Sequence, residues 1–186
     1  MRVIVAITGA SGAIYGLRLL EKLQRRPEVE LHALVSRAGK GILALETGRT
    51  LADLRNLAHH WYDPEDVDAP LASGSFPTHG MVIAPCSIRT LSAIATGVAS
   101  NLILRAADVT LKERRRLILM VRESPFHLGH LRAMLALTEM GAIIAPPIPS
   151  FYQRPQTILD LVDHSVDRVL DLLGLPAPDA KRWAGT

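Results

Sequence analysis

Apolar residues in this chain fall into short, nearly continuous runs, interrupted only by His32 and preceded in the first by Arg2, and between the runs they recur every three or four positions. The runs cover residues 2–7, 31–35, 81–84, 117–121 and 142–145. Runs without polar alternation are the mark of strands covered on both faces. Over 14–26, Leu17, Leu19, Leu20 and Leu23 take one side while Arg18, Glu21, Lys22, Arg25 and Arg26 take the other, which predicts a helix that Pro27 ends. The same spacing predicts helices over 38–47, 88–96, 101–113, 130–140 and 157–173, with Gly141 and Gly174 as stops for the last two. Thr50 to Asp53 predicts a short helix, with Thr50 as N-cap and Asp53 reaching back to it. The polar, irregular stretch 59–77 reads as a mobile loop. Strand therefore alternates with helix throughout: an α/β chain with a doubly wound, mostly parallel sheet in three layers.

Composition narrows the class without changing it. The 186 residues suffice for a single domain, 1–186, with a C-terminal tail from about residue 175. An apolar share of 48% fits a well-buried chain and leaves surface for assembly with copies of itself. The net charge of +3 is small, and the cations form no long block beyond Lys112 to Arg116, so nucleic acid is not an expected partner. A single cysteine, Cys86, excludes an internal disulfide framework and points to a reducing compartment. No apolar run reaches the ~18 residues of a membrane span, and the first apolar run breaks at glycines rather than forming a leader pattern. The expected location is the cytoplasm.

Candidate chemistry collects where strands end, and in a parallel sheet those ends share one edge. The first strand runs into Thr8-Gly9-Ala10-Ser11-Gly12-Ala13, a turn of small residues opening a helix. A helix starting there aims free N–H groups and a positive dipole end at an anion, so the turn is a candidate phosphate cradle; the alternative is a tight turn with no ligand. It departs from the dinucleotide fingerprint, with Ala10 as spacer and Ser11 where the second glycine belongs. The second strand ends in Ser36-Arg37 rather than a ribose-binding acid, so a mononucleotide fits better than NAD or ATP. Ser87 and Thr90 open a helix after another strand; Ser87 serves as N-cap and can also meet a ligand. Arg122-Glu123 close an apolar strand, a costly position unless the charges are paired or used. A partly buried Glu123 with a raised pKa could move protons; a structural ion pair is the alternative. Lys112, Arg105 and Arg168 fall on helices, and Tyr152 in the loop after the last strand. Cys86 follows a buried strand with no histidine beside it, which argues against a nucleophile. The pair His59-His60 lacks further ligands at metal-binding spacing, so no metal site is expected.

Taken in order, these segments resemble the flavin prenyltransferases of the UbiX/Pad1 family across nearly the whole chain. The carrying motifs are Thr8 to Ala13, Ser73-Gly74-Ser75-Phe76, Pro85-Cys86-Ser87-Ile88-Arg89-Thr90-Leu91-Ser92, Arg105 to Val109 leading to Leu111-Lys112-Glu113-Arg114, Val121 to Pro125, Phe151-Tyr152, and Arg182-Trp183. The resemblance implies a Rossmann- or flavodoxin-like flavoprotein. It would join the dimethylallyl group of dimethylallyl phosphate to N5 and C6 of reduced FMN, without a metal, as a dodecamer. The prenylated FMN would pass to a UbiD-type decarboxylase. It implies a flavin site of Gly9, Ala10, Ser11, Ser36, Ser87, Ile88, Arg89, Thr90 and Arg122. It implies a prenyl-phosphate site of Lys112, Arg122, Glu123, Tyr152 and Arg168. Glu123, Lys112, Ser11 and Glu46 would be catalytic, and Arg105 would support the phosphate end or a subunit contact. One departure is Val67-Asp68-Ala69-Pro70, where some members carry a tryptophan near the prenyl pocket; Trp183 could close that pocket instead.

Three rivals share parts of this pattern. A flavin-dependent cysteine decarboxylase would carry an Ala-Ser-Ala-Asn-Thr type segment where Cys86-Ser87-Ile88-Arg89-Thr90 stands. Direct decarboxylation of an aromatic acid does not call for the phosphate-binding set, and a non-catalytic flavin-binding subunit does not call for Lys112, Arg122, Glu123 and Tyr152 together.

Overall fold

A computed structural model describes residues 1–178 and 180 of the chain; Arg182 and Trp183 lie outside the described residues. Strands β1 (Arg2–Ile7), β2 (Glu30–Val35), β3 (His60–Tyr62), β4 (Gly80–Cys86), β5 (Arg116–Val121) and β6 (Ile143–Ile144) form one sheet in the order β3-β2-β1-β4-β5-β6. Every pairing is parallel, with Val3 opposite Leu31 on one side and Gly80 on the other. Six helices alternate with the strands: α1 (Ala13–Gln24), α2 (Arg37–Thr47), α3 (Ile88–Ala95), α4 (Leu102–Lys112), α5 (Leu128–Glu139) and α6 (Ile158–Leu173). Among the described residues no helix is long and apolar enough to cross a membrane.

Alternate residues of the strands supply two cores. Val3, Val5 and Ile7 face Leu17, Leu20, Leu43, Val166 and Leu170 of α1, α2 and α6. Ile4, Ala6, Met81 and Ile83 face Leu91, Leu102, Ala106 and Leu137 of α3, α4 and α5. Close approach needs small residues: a Cβ on Gly16 would run into the Ala84 carbonyl and Ile7. The layers are held unequally. α6 buries Val162, Val166, Val169, Leu170 and Leu173, whereas α5 buries only Leu137. Each such apolar side chain contributes about 1.5–3 kcal/mol, so α5 is weakly anchored within one chain. Its Leu128, Leu131 and Leu135 remain exposed beside Phe126.

The structure corrects the sequence reading at several points. Residues 59–77 contain strand β3 and a 3-10 turn, Pro70–Ala72, rather than only a loop. β3 escapes pattern reading because it is a three-residue edge strand without an apolar run. The segment is also pinned: Arg115 donates to the carbonyls of Gly74 (2.7 Å) and Phe76 (2.9 Å), and Arg105 to that of Ala72 (3.1 Å). Thr50 to Asp53 is a turn, followed by a 3-10 turn at Arg55–Leu57. Asp53 accepts from both the Thr50 amide (2.6 Å) and its hydroxyl (2.7 Å), so that hydroxyl caps no helix. By contrast, Thr157 makes a full capping box with Asp160 at the start of α6.

Candidate functional site at the strand ends

The strand order reverses direction between β1 and β4, and in such sheets ligands bind in the crevice at the carboxyl ends beside that point. Thr8 ties the two strand ends together. Its amide and hydroxyl both donate to the Pro85 carbonyl (3.2 and 2.8 Å), and its oxygen accepts from the Ser87 amide (2.9 Å). Thr8 opens the expected Thr8–Ala13 cradle, but no separate role was assigned to it; a polar residue ending an apolar strand was the available signal. Helices α1, α2 and α3 leave β1, β2 and β4 directly, so their N-termini meet at this edge. Ser36 caps α2 by accepting from the Gly39 amide (3.0 Å). Ser87 caps α3 by accepting from the Thr90 amide (3.3 Å), and its hydroxyl meets that of Thr90 at 3.0 Å. Ile88 and Arg89 form the first turn of α3, and Arg89 is exposed.

The opening turn differs from the expected phosphate cradle. Gly12, with φ 102°, is the N-cap of α1 and offers no side chain. The α1 amides are satisfied instead by Glu46 of α2, whose carboxylate accepts from Gly12 (2.8 Å) and Ala13 (2.9 Å). An internal anion thus occupies the helix end that the sequence suggested for a ligand phosphate. Partial desolvation opposes ionisation of Glu46. Even so, the Ser11 hydroxyl, the Gly12 and Ala13 amides and the Arg122 guanidinium together hold its carboxyl below the usual range. Ser11, Glu46 and Arg122 are thereby brought together over the crevice. Gly9 serves packing: a Cβ there would overlap that of Ala38 in α2. Ala10 closes the turn by donating its amide to the Thr8 carbonyl (2.9 Å).

The remaining expected residues do not all join this group. Arg122 and Glu123 follow β5 at the same edge, but Arg122 is exposed and the Glu123 carboxylate accepts from the neighbouring Ser124 amide (3.0 Å). Neither takes part in an ion pair among the described residues. The structural ion pair weighed for Glu123 is therefore absent there. Lys112 ends α4 at the opposite, amino-terminal edge, where it pairs with Glu113 (2.5 Å) beside Gly74. Within one chain a strand's length, about 17–20 Å, separates it from the crevice. Arg105 pairs with Asp108 (2.7 Å) on the same helix. Arg168 sits on the outer face of α6, paired with Asp171 (2.8 Å). The Tyr152 hydroxyl meets His164 Nε2 of α6 at 3.3 Å. A cavity of about 590 Å³ lies beside that loop, lined by Lys22, Arg25, Asp163, His164, Asp167 and Leu170. It follows the α1–α6 flank rather than the strand ends, so the topology, not this cavity, locates the site. Cys86 is fully buried, and burial pushes its thiol far up, against the weaker pull of the Leu91 amide. It is inert as a nucleophile.

The crevice has the donors for a phosphorylated, partly polar ring system: the N-termini of α2 and α3, the hydroxyls of Ser36, Ser87 and Thr90, and the cations Arg89 and Arg122. Residues 1–170 match the Flavoprotein family. The flavin prenyltransferase UbiX of Thauera aromatica is 52% identical over 185 residues, spanning 100% of this chain and 95% of that protein. Two solved structures superpose with a TM-score of 0.97 each. One is a dodecameric FMN-dependent UbiX-like decarboxylase from Escherichia coli O157:H7, 47% identical with 100% of both chains covered. The other is AnUbiX (PadA1) in complex with FMN and dimethylallyl pyrophosphate, 46% identical and covering 100% of this chain and 98% of that one.

Proposed function

The chain belongs to the Flavoprotein family, among the flavin prenyltransferases of the UbiX type, and from that membership we propose how its own residues carry out the transfer. The reaction joins the dimethylallyl group of dimethylallyl phosphate to N5 and C6 of reduced FMN, with the phosphate as leaving group. Reduced FMN supplies the electron-rich ring positions. The observation carrying this reading is the meeting of Ser11, Glu46 and Arg122 with three helix N-termini at the β1–β4 crevice, in a chain half identical to such enzymes over its whole length.

Gly9, Ala10, Ser11, Ser36, Ser87, Ile88, Arg89, Thr90 and Arg122 hold the flavin. Glu46 keeps the α1 amides and the Ser11 hydroxyl in fixed positions, and its negative charge orients Arg122. Arg122, Lys112, Tyr152 and Arg168 gather the donor's phosphate, and their positive charges stabilise the anion that leaves. Glu123 holds or releases protons at that phosphate and at flavin N5. Lys112, at the far edge of its own sheet, and Arg168, on the outer face of α6, serve the crevice of a neighbouring subunit. The dodecameric E. coli relative and the exposed apolar face of α5 support assembly into such an oligomer. The prenylated FMN is then handed to a UbiD-type decarboxylase in the cytoplasm.

The test measures release of inorganic phosphate under anaerobic conditions. Release should require both reduced FMN and dimethylallyl phosphate, and a parallel arm with the pyrophosphate identifies the preferred donor. Release from the donor without flavin, or none with both present, overturns the reading.

A further inference from the structure

A second cluster lies at the amino-terminal edge of the sheet, opposite the flavin crevice. His32 of β2 stands beside His60 of β3 in the strand register. Glu30 precedes His32 by two residues and so shares its face of the sheet. The Glu30 Oε1 lies 3.4 Å from His32 Nε2 and 3.2 Å from His60 Nε2. One ligand atom from each residue falls within 4.8 Å of the other two. Arg2 holds the other carboxylate oxygen, Oε2, at 3.0 Å.

His32 is the informative member. It is 1% exposed, and its Nε2 is buried with no hydrogen-bond partner. Leaving such a group unmet costs about 1–3 kcal/mol. Its other nitrogen, Nδ1, is fixed by the Tyr62 hydroxyl at 2.9 Å. In the tautomer that donates its Nδ1 proton to Tyr62, the Nε2 lone pair faces the Glu30 carboxylate oxygen, and it is this tautomer that a metal would select. Two electron-rich atoms at that separation favour a cation between them. A polar partner on the far nitrogen is also what orients a metal-ligating histidine.

We propose that Glu30, His32 and His60 form a zinc-type divalent-cation site that fastens the short edge strand β3 to β2. Two imidazoles and one carboxylate match the ligand preference of zinc and leave a further position open to water. His60 is half exposed and stacked on His32 at 4.7 Å, so its ring can turn its Nε2 onto the ion. The Arg2 charge beside Glu30 opposes a second cation and so weakens binding. The sequence offered only His59 and His60 as a pair, and no metal site was expected from it. The His59 Nδ1, however, accepts from the Leu31 amide (2.9 Å) and is committed to the backbone. Glu30 and His32 join only through strand pairing.

The metal-stripped full-length protein, titrated with zinc by calorimetry and with cobalt by visible absorption, tests this. One ion per chain is expected, together with a zinc-dependent rise in Tm. His60→Ala and Glu30→Gln should each weaken binding at least tenfold and abolish that rise, while leaving prenyl transfer unchanged. His60 and Glu30 are partly exposed, so both variants should fold, as zinc-free melting will check. Absence of zinc binding by the wild type, or equal binding by both variants, overturns the proposal.

Discussion

Glu46→Gln tests the capping of α1 by a carboxylate from another helix. In the wild type one carboxylate oxygen accepts from two backbone amides, at 2.8 and 2.9 Å, and the charge sits on the positive end of α1. Hydrogen bonds to charged groups are worth about 1.5–3 kcal/mol against 0.5–1.5 kcal/mol for neutral ones. The charge–dipole contribution is about 0.3–1 kcal/mol. The Glu46 side chain is exposed as a whole, so solvent screening reduces both effects. A net loss of about 1–2 kcal/mol remains, equivalent to roughly 2–8 °C in Tm for a chain of this size. The effect must also depend on pH. The folded-state pKa of Glu46 is lowered, so its stabilisation is fully present above the unfolded-state value of about 4.3 and fades as pH falls through the folded-state value. Differential scanning calorimetry of both proteins at neutral pH and in the acid range measures this. The gap should be largest at neutral pH and shrink on acidification. Equal Tm values at neutral pH, or a gap that does not shrink, would refute the capping argument.

Gly9→Ala should lower stability by about 1–3 kcal/mol, because the added methyl overlaps Ala38 at the start of α2; denaturant unfolding reads the loss, and an unchanged midpoint would contradict it. Cys86 should resist iodoacetamide in the native protein and react once denaturant exposes it, so stoichiometric native labelling would show the thiol to be accessible. Glu123→Gln should bind FMN like the wild type yet form product about 10²–10⁴-fold more slowly, and normal turnover would remove Glu123 from its proton-transfer role.

The fold was legible wherever burial on both faces left continuous apolar runs. Val3–Ile7 and Leu117–Val121 could hardly be anything but interior strands of an α/β sheet. β3 was hidden because His60-Trp61-Tyr62 lies at an edge and carries no such run. The candidate site was placed at strand ends, since small and polar residues such as Ser11, Ser36 and Ser87 follow apolar runs there. What Glu46 does was not legible, because its partners Gly12 and Ala13 lie 34 and 33 residues away and meet it only through the packing of α2 on α1. Lys112 shows the opposite limit. Its motif is recognisable in the sequence, but its position at the far edge of the sheet gives it access to a crevice only through assembly.

Prenylation of the flavin bound at the strand ends is the activity proposed for this chain. Its most direct test is the mass of the flavin recovered after anaerobic incubation of the purified protein with reduced FMN and dimethylallyl phosphate. A gain of one prenyl unit is expected, lost in Arg122→Ala; recovery of unchanged FMN from the wild type would overturn the assignment.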